Sequence, residues 1–480
     1  MSKLDEQELK LLENAISKSE DIKNRYKLDD NLKKIITIVE DFLKKKQLIC
    51  YGGTAINNIL SKDLQFYDRS KEIPDYDFYS TNALKDAKEL ANLYFKKGYT
   101  EVRAAAGIHY GTFKVFVNFI PIADITSLDA RLFNNIKKDS IKRKNILYAP
   151  PNLLRMSMYL ELSRPSGDTS RWEKVFTRLK LLNKQYPLEK KHTPVLFNSK
   201  NNALFNKAKH FFIKEKVVFF GSFALNIYSK QNTNVNQTNG FYILSNKPKE
   251  LVLKFLKVFD KENVEIRKKD KVDDILSSSY EIYINNIKVA TVFKTLACYS
   301  YVKFKNILVA SIDTMLSFYL LFYYLDFLDY NKNDVLNIAN YLFTKQNNKK
   351  NKTKSKGLFK RFPINCYGKQ LSLEEIRAEK SNQFEKLKTK RNTKEYEEWF
   401  LNYNPDRKLE KLKDEIDLDK DGTLSKAELD NAIKIFRKFN VKNKTLKKSK
   451  KKELDKFFTL SKSINNVSKS IKNNSWILPK

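Results

Sequence analysis

Two aspartates, Asp75 and Asp77, stand two apart in the stretch Asp75-Tyr76-Asp77-Phe78-Tyr79. In a strand that spacing projects both carboxylates from one face. A third, Asp124, ends a strongly strand-forming run, residues 112–125, in the apolar setting Pro121-Ile122-Ala123-Asp124-Ile125. A carboxylate there costs free energy unless it is paired or metal-bound. Three carboxylates on adjacent strands can hold two divalent cations, Mg²⁺ or Mn²⁺, which clamp the attacking and leaving oxygens of an in-line phosphoryl displacement. Upstream, Gly52-Gly53-Thr54 closes the short apolar strand 47–51 and opens a helix at 55–60. Glycines at such a turn let backbone N–H groups approach a phosphate, and a helix N-terminus favours its charge. A Gly-Gly turn or an Asp-x-Asp pair alone is ordinary. Their order carries the signal: strand, Gly-Gly-Thr, helix, Asp-x-Asp, then Asp inside a strand. Lys114, on the strand leading to Asp124, is placed to neutralise phosphate.

The elements that must position these groups are legible in outline. Residues 7–45 read as two amphipathic helices broken near 27–30, and residues 84–97 as another helix. Pro150-Pro151 marks a change to helices at 152–162 and 170–185. A second block then repeats the first: the apolar run 214–220 precedes Gly221-Ser222-Phe223-Ala224, in the order strand, glycine turn, helix. Tyr51 to Asn57 aligns with Phe220 to Asn226, Phe78-Tyr79 with Phe241-Tyr242, and Ile122 to Ile125 with Val289 to Val292. On that alignment Thr238, Gly240 and Thr291 face Asp75, Asp77 and Asp124, so the second block lacks the carboxylates. Residues 315–343 read as helical, and the lysine-rich runs 345–356 and 442–452 as basic loops. The expected architecture is α+β: N-terminal helices (1–46), a carboxylate-bearing domain (47–140), a helical connector (141–204), a degenerate second copy (205–330) and a helical, Lys-rich C-terminal region (331–480).

Composition bounds the partners. With 92 Lys and Arg against 56 Asp and Glu, the formal net charge of +36 attracts polyanions. An AT-rich coding sequence would enrich Lys, Asn and Ile together, but does not explain why acidic residues lag so far behind. That balance points to nucleic acid. No apolar run reaches a membrane span, and the N-terminus carries charges where a signal peptide needs its apolar stretch. Cys50, Cys298 and Cys366 are too scattered for a disulfide framework or a zinc site, so a soluble, intracellular chain is expected. Three histidines, His109, His192 and His210, leave no Ser/His/Asp or Cys/His triad to argue. Trp172 and Phe176 lie at helical spacing and read as core packing.

A separate signal lies near the C-terminus. Asp417, Asp419, Asp421, Gly422, Thr423 and Glu428 fill the diagnostic places of a twelve-residue EF-hand loop, with apolar positions on both sides suited to two helices. The pattern offers Ca²⁺ a site through Asp417, Asp419, Asp421, Thr423 and Glu428. Its bland counterpart is a helix-turn-helix.

The order Gly-Gly, Asp-x-Asp, Asp resembles that of the DNA polymerase β-like nucleotidyltransferase superfamily. The wording around it is more specific: YGGTAIN, PDYDFYS, ADITSLD, the long motif spanning residues 149–183, and INCYGK resemble the poly(A) polymerase catalytic subunits of large cytoplasmic DNA viruses. The resemblance covers roughly residues 30–400. It implies that Asp75, Asp77 and Asp124 are metal ligands, that Gly52, Gly53 and Thr54 hold a triphosphate, and that the segment after Pro151 packs against nucleotide and primer. Asn152, Arg155, Tyr159 and Arg164 are the candidates within that segment. It further implies AMP transfer from ATP to an RNA 3′ end in the cytoplasm, and a degenerate partner copy at 205–330. A homodimer or a separate processivity subunit is left open, as is a uridylyl- or oligoadenylate-forming enzyme or a non-catalytic RNA-binding scaffold. The second turn residue is Gly53 where many superfamily members have Ser, which removes one hydroxyl contact.

Overall fold

The computed structural model describes residues 10–15, 30–67, 74–188, 203–229, 240–273, 275–325 and 331–405, together with 425, 427–428 and 431. The chain divides into two compact units, 1–403 and 404–480. Every element named below belongs to the first.

Helix α1 (Asp30–Lys46) buries Leu32, Ile35, Val39, Phe42 and Leu43, one stripe at three- and four-residue spacing. Asp30 in its first turn and Lys44 to Lys46 in its last complement the helix dipole. Strand β1 (Ile49–Tyr51) runs directly into α2 (Gly52–Ile59). In β2 (Tyr76–Ser80), buried Tyr76, Phe78 and Ser80 alternate with half-buried Asp77 and Tyr79. Next come α3 (Ala83–Lys96), β3 (Val102–Ala106), β4 (Thr112–Val117), β5 (Ile120–Ser127) and α4 (Ala130–Lys138). The hairpin β6 (Ile141–Arg143) and β7 (Ile146–Tyr148) leads to α5 (Pro151–Leu162), with proline in its first turn, and α6 (Trp172–Gln185). The strands form one sheet in the order β3-β4-β5-β2-β1-β7-β6. Phe42 of α1 meets the Phe78 ring, so α1 covers the Tyr76/Phe78 face and Asp77 and Tyr79 project from the other.

The second sheet is built from α7 (Ala203–Lys214), β8 (Val218–Phe220), α8 (Gly221–Ser229), β9 (Phe241–Ser245), α9 (Pro248–Val258), β10 (Val264–Lys269), β11 (Ser279–Ile284), β12 (Ile287–Lys294), β13 (Tyr299–Phe304), β14 (Ile307–Ala310) and α10 (Ile312–Phe322). Its order, β10-β11-β12-β9-β8-β14-β13, reproduces the first sheet strand for strand. Helices α5 and α10, which follow β7 and β14 respectively, pack against each other.

Register corrects one part of the sequence alignment. Tyr51 pairs with Asp77 and Asp77 with Asp124, while Phe220 pairs with Tyr242 and Tyr242 with Thr291. The counterpart of Asp77 is therefore Tyr242, not Gly240, and Phe78-Tyr79 corresponds to Ile243-Leu244. Thr291 does face the Asp124 position, and Thr238 lies outside the described residues. A two-residue slip keeps every side chain on its own face, so alternation in the sequence could not reveal it. The glycines agree with the register: Gly52 (φ +72°) and Gly221 (φ +71°) are both left-handed, and each lies against its respective partner, Asp77 or Tyr242.

Where the first sheet carries carboxylates, the second is filled with rings. Phe220, Tyr242, Phe293, Phe318 and Phe322 pack at centroid separations between 4.8 and 6.4 Å. Phe318 and Phe322 come from α10, which is buried along its whole length.

Beyond α11 (Lys332–Asn347) two short strands interrupt the expected helical region. Strand β15 (Cys366–Tyr367) pairs with β13, then α12 (Leu373–Leu387) and α13 (Lys394–Phe400) lead to β16 (Asn402–Tyr403), which pairs with β3. The basic run 345–356 begins inside α11. Two cysteines read as isolated are bonded: Cys298 and Cys366 form a disulfide, Cα atoms 5.2 Å apart, across 68 residues of sequence. Strand pairing at that distance brings them together, which spacing alone does not show. Among the described residues no helix is long and apolar enough to cross a membrane.

Restoring a carboxylate to the second sheet should cost stability. Tyr242→Asp removes a buried ring and buries a charge among aromatics, so thermal unfolding should show a loss of at least about 3 kcal/mol; an unchanged Tm would mean that the aromatic plug is not tightly packed.

Candidate active site

Asp75, Asp77 and Asp124 are neighbours on the first sheet, with Asp77 on the side away from α1. Asp77 and Asp124 are direct partners across the parallel β2–β5 pair, and Asp75 leads into β2 one residue before its start. Their proximity is written in their protonation. Asp77 is pushed up to about 7, first by burial, then by repulsion from Asp75 and Asp124, with Lys114 and Arg171 pulling the other way. Burial and then Asp124 raise Asp75 as well. Lys114, paired with Asp124 in the antiparallel β4–β5 ladder, forms an ion pair with Asp124 Oδ2. The other oxygen, Asp124 Oδ1, is buried without a hydrogen-bond partner.

The glycine turn is shaped by the same residues. A Cβ on Gly52 would stand 2.4 Å from Asp77 Oδ2, so only glycine lets the carboxylate lie against the turn, and its φ of +72° also favours glycine. A Cβ on Gly53 would stand 2.5 Å from the Tyr67 hydroxyl and 2.9 Å from Arg178 Nη1. Arg178, on α6, donates to Tyr67 Oη at 2.7 Å and lies over the Phe66 and Tyr67 rings at 4.6 and 5.2 Å. A fixed cation thus stands where a hydroxyl on residue 53 would otherwise reach. Sequence reading missed Arg178. The signal was present: Arg171 and Arg178 are seven apart in the motif 149–183, two helical turns on one face.

Other expected nucleotide contacts are placed elsewhere. Thr54 is buried, and its hydroxyl donates to the Asp75 carbonyl at 2.6 Å, fixing the entry to β2 rather than reaching a phosphate. Arg155 is 1% exposed; its guanidinium donates to Asn183 Oδ1 at 2.6 Å, to Asn152 Oδ1 and to the Tyr186 carbonyl. Burial lowers its pKa to about 10. Tyr159 is buried too. Arg155 therefore staples α5 to the end of α6, with Asn152 of its own helix holding the guanidinium and Tyr159 hydrogen-bonded to Asn183, so the motif around them encodes packing. Arg164 is half-buried with its guanidinium over the Tyr299 ring at 5.7 Å. His109 is an exposed loop residue, and Trp172 packs against Phe362, as expected of core.

Among the described residues no three acidic, histidine or cysteine side chains are close enough together to enclose a cation. The chemistry of Asp75, Asp77 and Asp124 nevertheless fits divalent metal: hard oxygen donors, an orphaned oxygen on Asp124, and, in Asp75 and Asp77, ionisation held back by burial and then by neighbouring negative charge. In the EF-hand-like loop, Asp417, Asp419, Asp421 and Thr423 lie outside the described residues. Glu428 is described, and its carboxylate accepts from the Ser425 N–H and hydroxyl, both at 2.8 Å, while Ser425 Oγ accepts from the Glu428 N–H at 3.3 Å. That reciprocal pair has the form of a capping box.

The resemblance read from the motifs holds in comparison with known proteins. Residues 37–168 match the family model described as poly(A) polymerase catalytic subunit. Putative poly(A) polymerase catalytic subunits of African swine fever virus (strain Badajoz 1971 Vero-adapted) and Acanthamoeba polyphaga mimivirus are each 34% identical, over 161 and 160 residues. The matches take in 33% and 32% of this chain, and 33% and 27% of those proteins, so the chain spans about a third of the length of the curated relatives it matches. The Megavirus polyadenylate synthase crystal structure superposes with a TM-score of 0.71 over 85% of this chain and 87% of that one, at 22% identity. The two share one α+β fold.

A raised carboxylate makes folded protein hold a proton that unfolded chain releases, so Asp77 destabilises increasingly as pH rises from its ordinary value of 3.8 and in full above about 7. In metal-free buffer Asp77→Asn should raise Tm more at about pH 8 than at about pH 5. A gain independent of pH would show that Asp77 does not titrate in this range.

Proposed function

We propose that the chain is a template-independent polynucleotide adenylyltransferase, adding AMP from ATP to RNA 3′ ends. One observation carries the reading: three partly buried carboxylates lie beside a glycine turn that opens a helix, with Arg178 against that turn. The names of the viral relatives and the shared fold support the same reading. In the reaction the RNA 3′ oxygen bonds to the ATP α-phosphorus and loses its proton, while the α–β phosphoanhydride bond breaks and pyrophosphate leaves with the electron pair.

The roles divide by position. Asp75, Asp77 and Asp124 would hold Mg²⁺ or Mn²⁺, which when bound supplies charge to activate the attacking oxygen and stabilise the leaving one. Gly52 and Gly53 bring backbone N–H groups to the triphosphate, and Arg178 supplies it a guanidinium held rigid by Phe66 and Tyr67. Thr54 is a positioning residue that holds the backbone of Asp75. Lys114 occupies Asp124 until substrate brings phosphate for it to neutralise. RNA and ATP are the partners. A processivity subunit or a second copy of the chain is compatible with this reading, and the viral source of the relatives supports a role in the cytoplasm of an infected cell. A uridylyltransferase would use the same carboxylates and differ in base choice, and an oligoadenylate-forming enzyme would use the same nucleotide and differ in its acceptor.

Primer extension with a short RNA, Mg²⁺ or Mn²⁺ and each of the four NTPs should yield AMP addition above the others. Extension with UTP instead would assign a uridylyltransferase, and no extension with any NTP would leave a scaffold. Asp75→Ala or Asp77→Ala should abolish incorporation while RNA binding survives. Arg178→Ala should raise KM for ATP by about tenfold or more, the loss of one charged hydrogen bond at roughly 1.5–3 kcal/mol, with the RNA KM unchanged; an unchanged ATP KM would remove Arg178 from the triphosphate site.

A further inference from the structure

The sheet face opposite the carboxylates carries a second feature that the catalytic reading does not use. Between α1 and α3 lies a groove of about 800 Å³ floored by Ile38, Phe42 and Leu93. Four exposed lysines line it: Lys34 and Lys45 from α1, Lys96 and Lys97 from the end of α3 and just beyond. Among the described residues none of the four is in an ion pair, whereas the groove's carboxylates, Asp41 and Glu89, are neutralised by Lys44 and Lys46. Lys45, Lys96 and Lys97 lie at helix C-termini, where they also complement the helix dipole. Lys34, near the start of α1, has no such role, and because the two helices run antiparallel the lysines are spread along the groove from one end to the other.

Around Glu89 and Asn92, which line both, this groove meets another of about 490 Å³. The second groove runs past Lys85 and Lys394 to Tyr110, Gly111 and Ser127, at the ends of β4 and β5. Tyr110 is 43% exposed, and its ring lies 4.6 Å from that of Trp399, with its hydroxyl donating to Glu398 at 2.9 Å. The lysines here are paired, Lys85 with Glu89 and Lys394 with Glu398, so what this groove offers is the exposed aromatic pair, a surface suited to a base.

We infer that the two grooves form one track for single-stranded RNA upstream of the reacting 3′ end, with phosphates on the four lysines and a base on the Tyr110–Trp399 pair. Aromatic stacking tolerates any base, and lysines reading phosphate tolerate any sequence, which suits a homopolymer as well as a transcript. Helix α3 alone is about 21 Å long, so the track spans several nucleotides. An acidic protein segment would satisfy the lysines but gives the exposed aromatic pair no role. The inference rests on the polymerase reading only in naming RNA as the occupant.

The test is binding without catalysis. Fluorescence anisotropy in EDTA, without ATP, would compare oligo(A) of about 20 and about 5 nucleotides, lengths chosen around known single-strand site sizes. The full-length protein should bind the longer oligomer more tightly. Replacing Lys34, Lys45, Lys96 and Lys97 by Gln should weaken the longer oligomer by about tenfold or more, flatten the salt dependence, and leave the shorter one unchanged. Tyr110→Ala should weaken the longer oligomer by about fivefold or more with the salt dependence intact. Unchanged affinity and salt slope in both variants would overturn the track, including the case in which the lysines serve an acidic protein. Should the fourfold variant not fold, Tyr110→Ala, at an exposed position, decides alone. Because no nucleotide is turned over, a wild-type protein that fails to extend primers would count against the polymerase and not against the track.

Discussion

Three like charges on neighbouring strands repel, and the first sheet is organised around containing that repulsion. The register that makes Asp77 and Asp124 partners also sets Tyr51 opposite Asp77, and the left-handed turn at Gly52 lets the Asp77 carboxylate lie against it. Lys114 offsets part of the charge from the neighbouring strand. Burial first, and the neighbouring carboxylates after it, push Asp75 and Asp77 upward toward holding protons. The arrangement is strained electrostatically and satisfied sterically, a combination that bound cations would relieve.

The second sheet shows how the same topology settles when that requirement is absent. With Tyr242 in place of Asp77 and Thr291 in place of Asp124, nothing holds the face open, and α10 inserts Phe318 and Phe322 against it. Hydrophobic burial then drives the site closed. The first sheet's α5 takes a different course: it uses Arg155 to pin α6, which presents Arg178 to the glycine turn, while Arg171, just before α6, acts on Asp77.

Sequence legibility followed the chemistry of each position. Asp75, Asp77, Asp124 and Gly52 were readable because a carboxylate set into an apolar strand needs a partner charge, and its order behind a glycine turn is specific. The duplicated fold was readable from the strand, glycine and helix order, although its register was not, since a slip of two preserves alternation. Arg155 and Tyr159 misled because a dense motif does not tell buried polar staples from ligand contacts; only burial does. Arg178 was overlooked because its partners, Phe66, Tyr67 and Gly53, lie more than a hundred residues away. The Cys298–Cys366 bond and strands β15 and β16 are equally matters of tertiary proximity.

The return of the chain to its first sheet has a bearing on solubility. Strand β16 is two residues long, yet it occupies the outer rim of β3, whose backbone donors and acceptors would otherwise face water. Exposed rims of this kind recruit strands from other molecules. Residues Asn402 and Tyr403 thus act as a stopper against self-association, and a chain cut short before them would keep its chemistry on one face while opening its border to clumping.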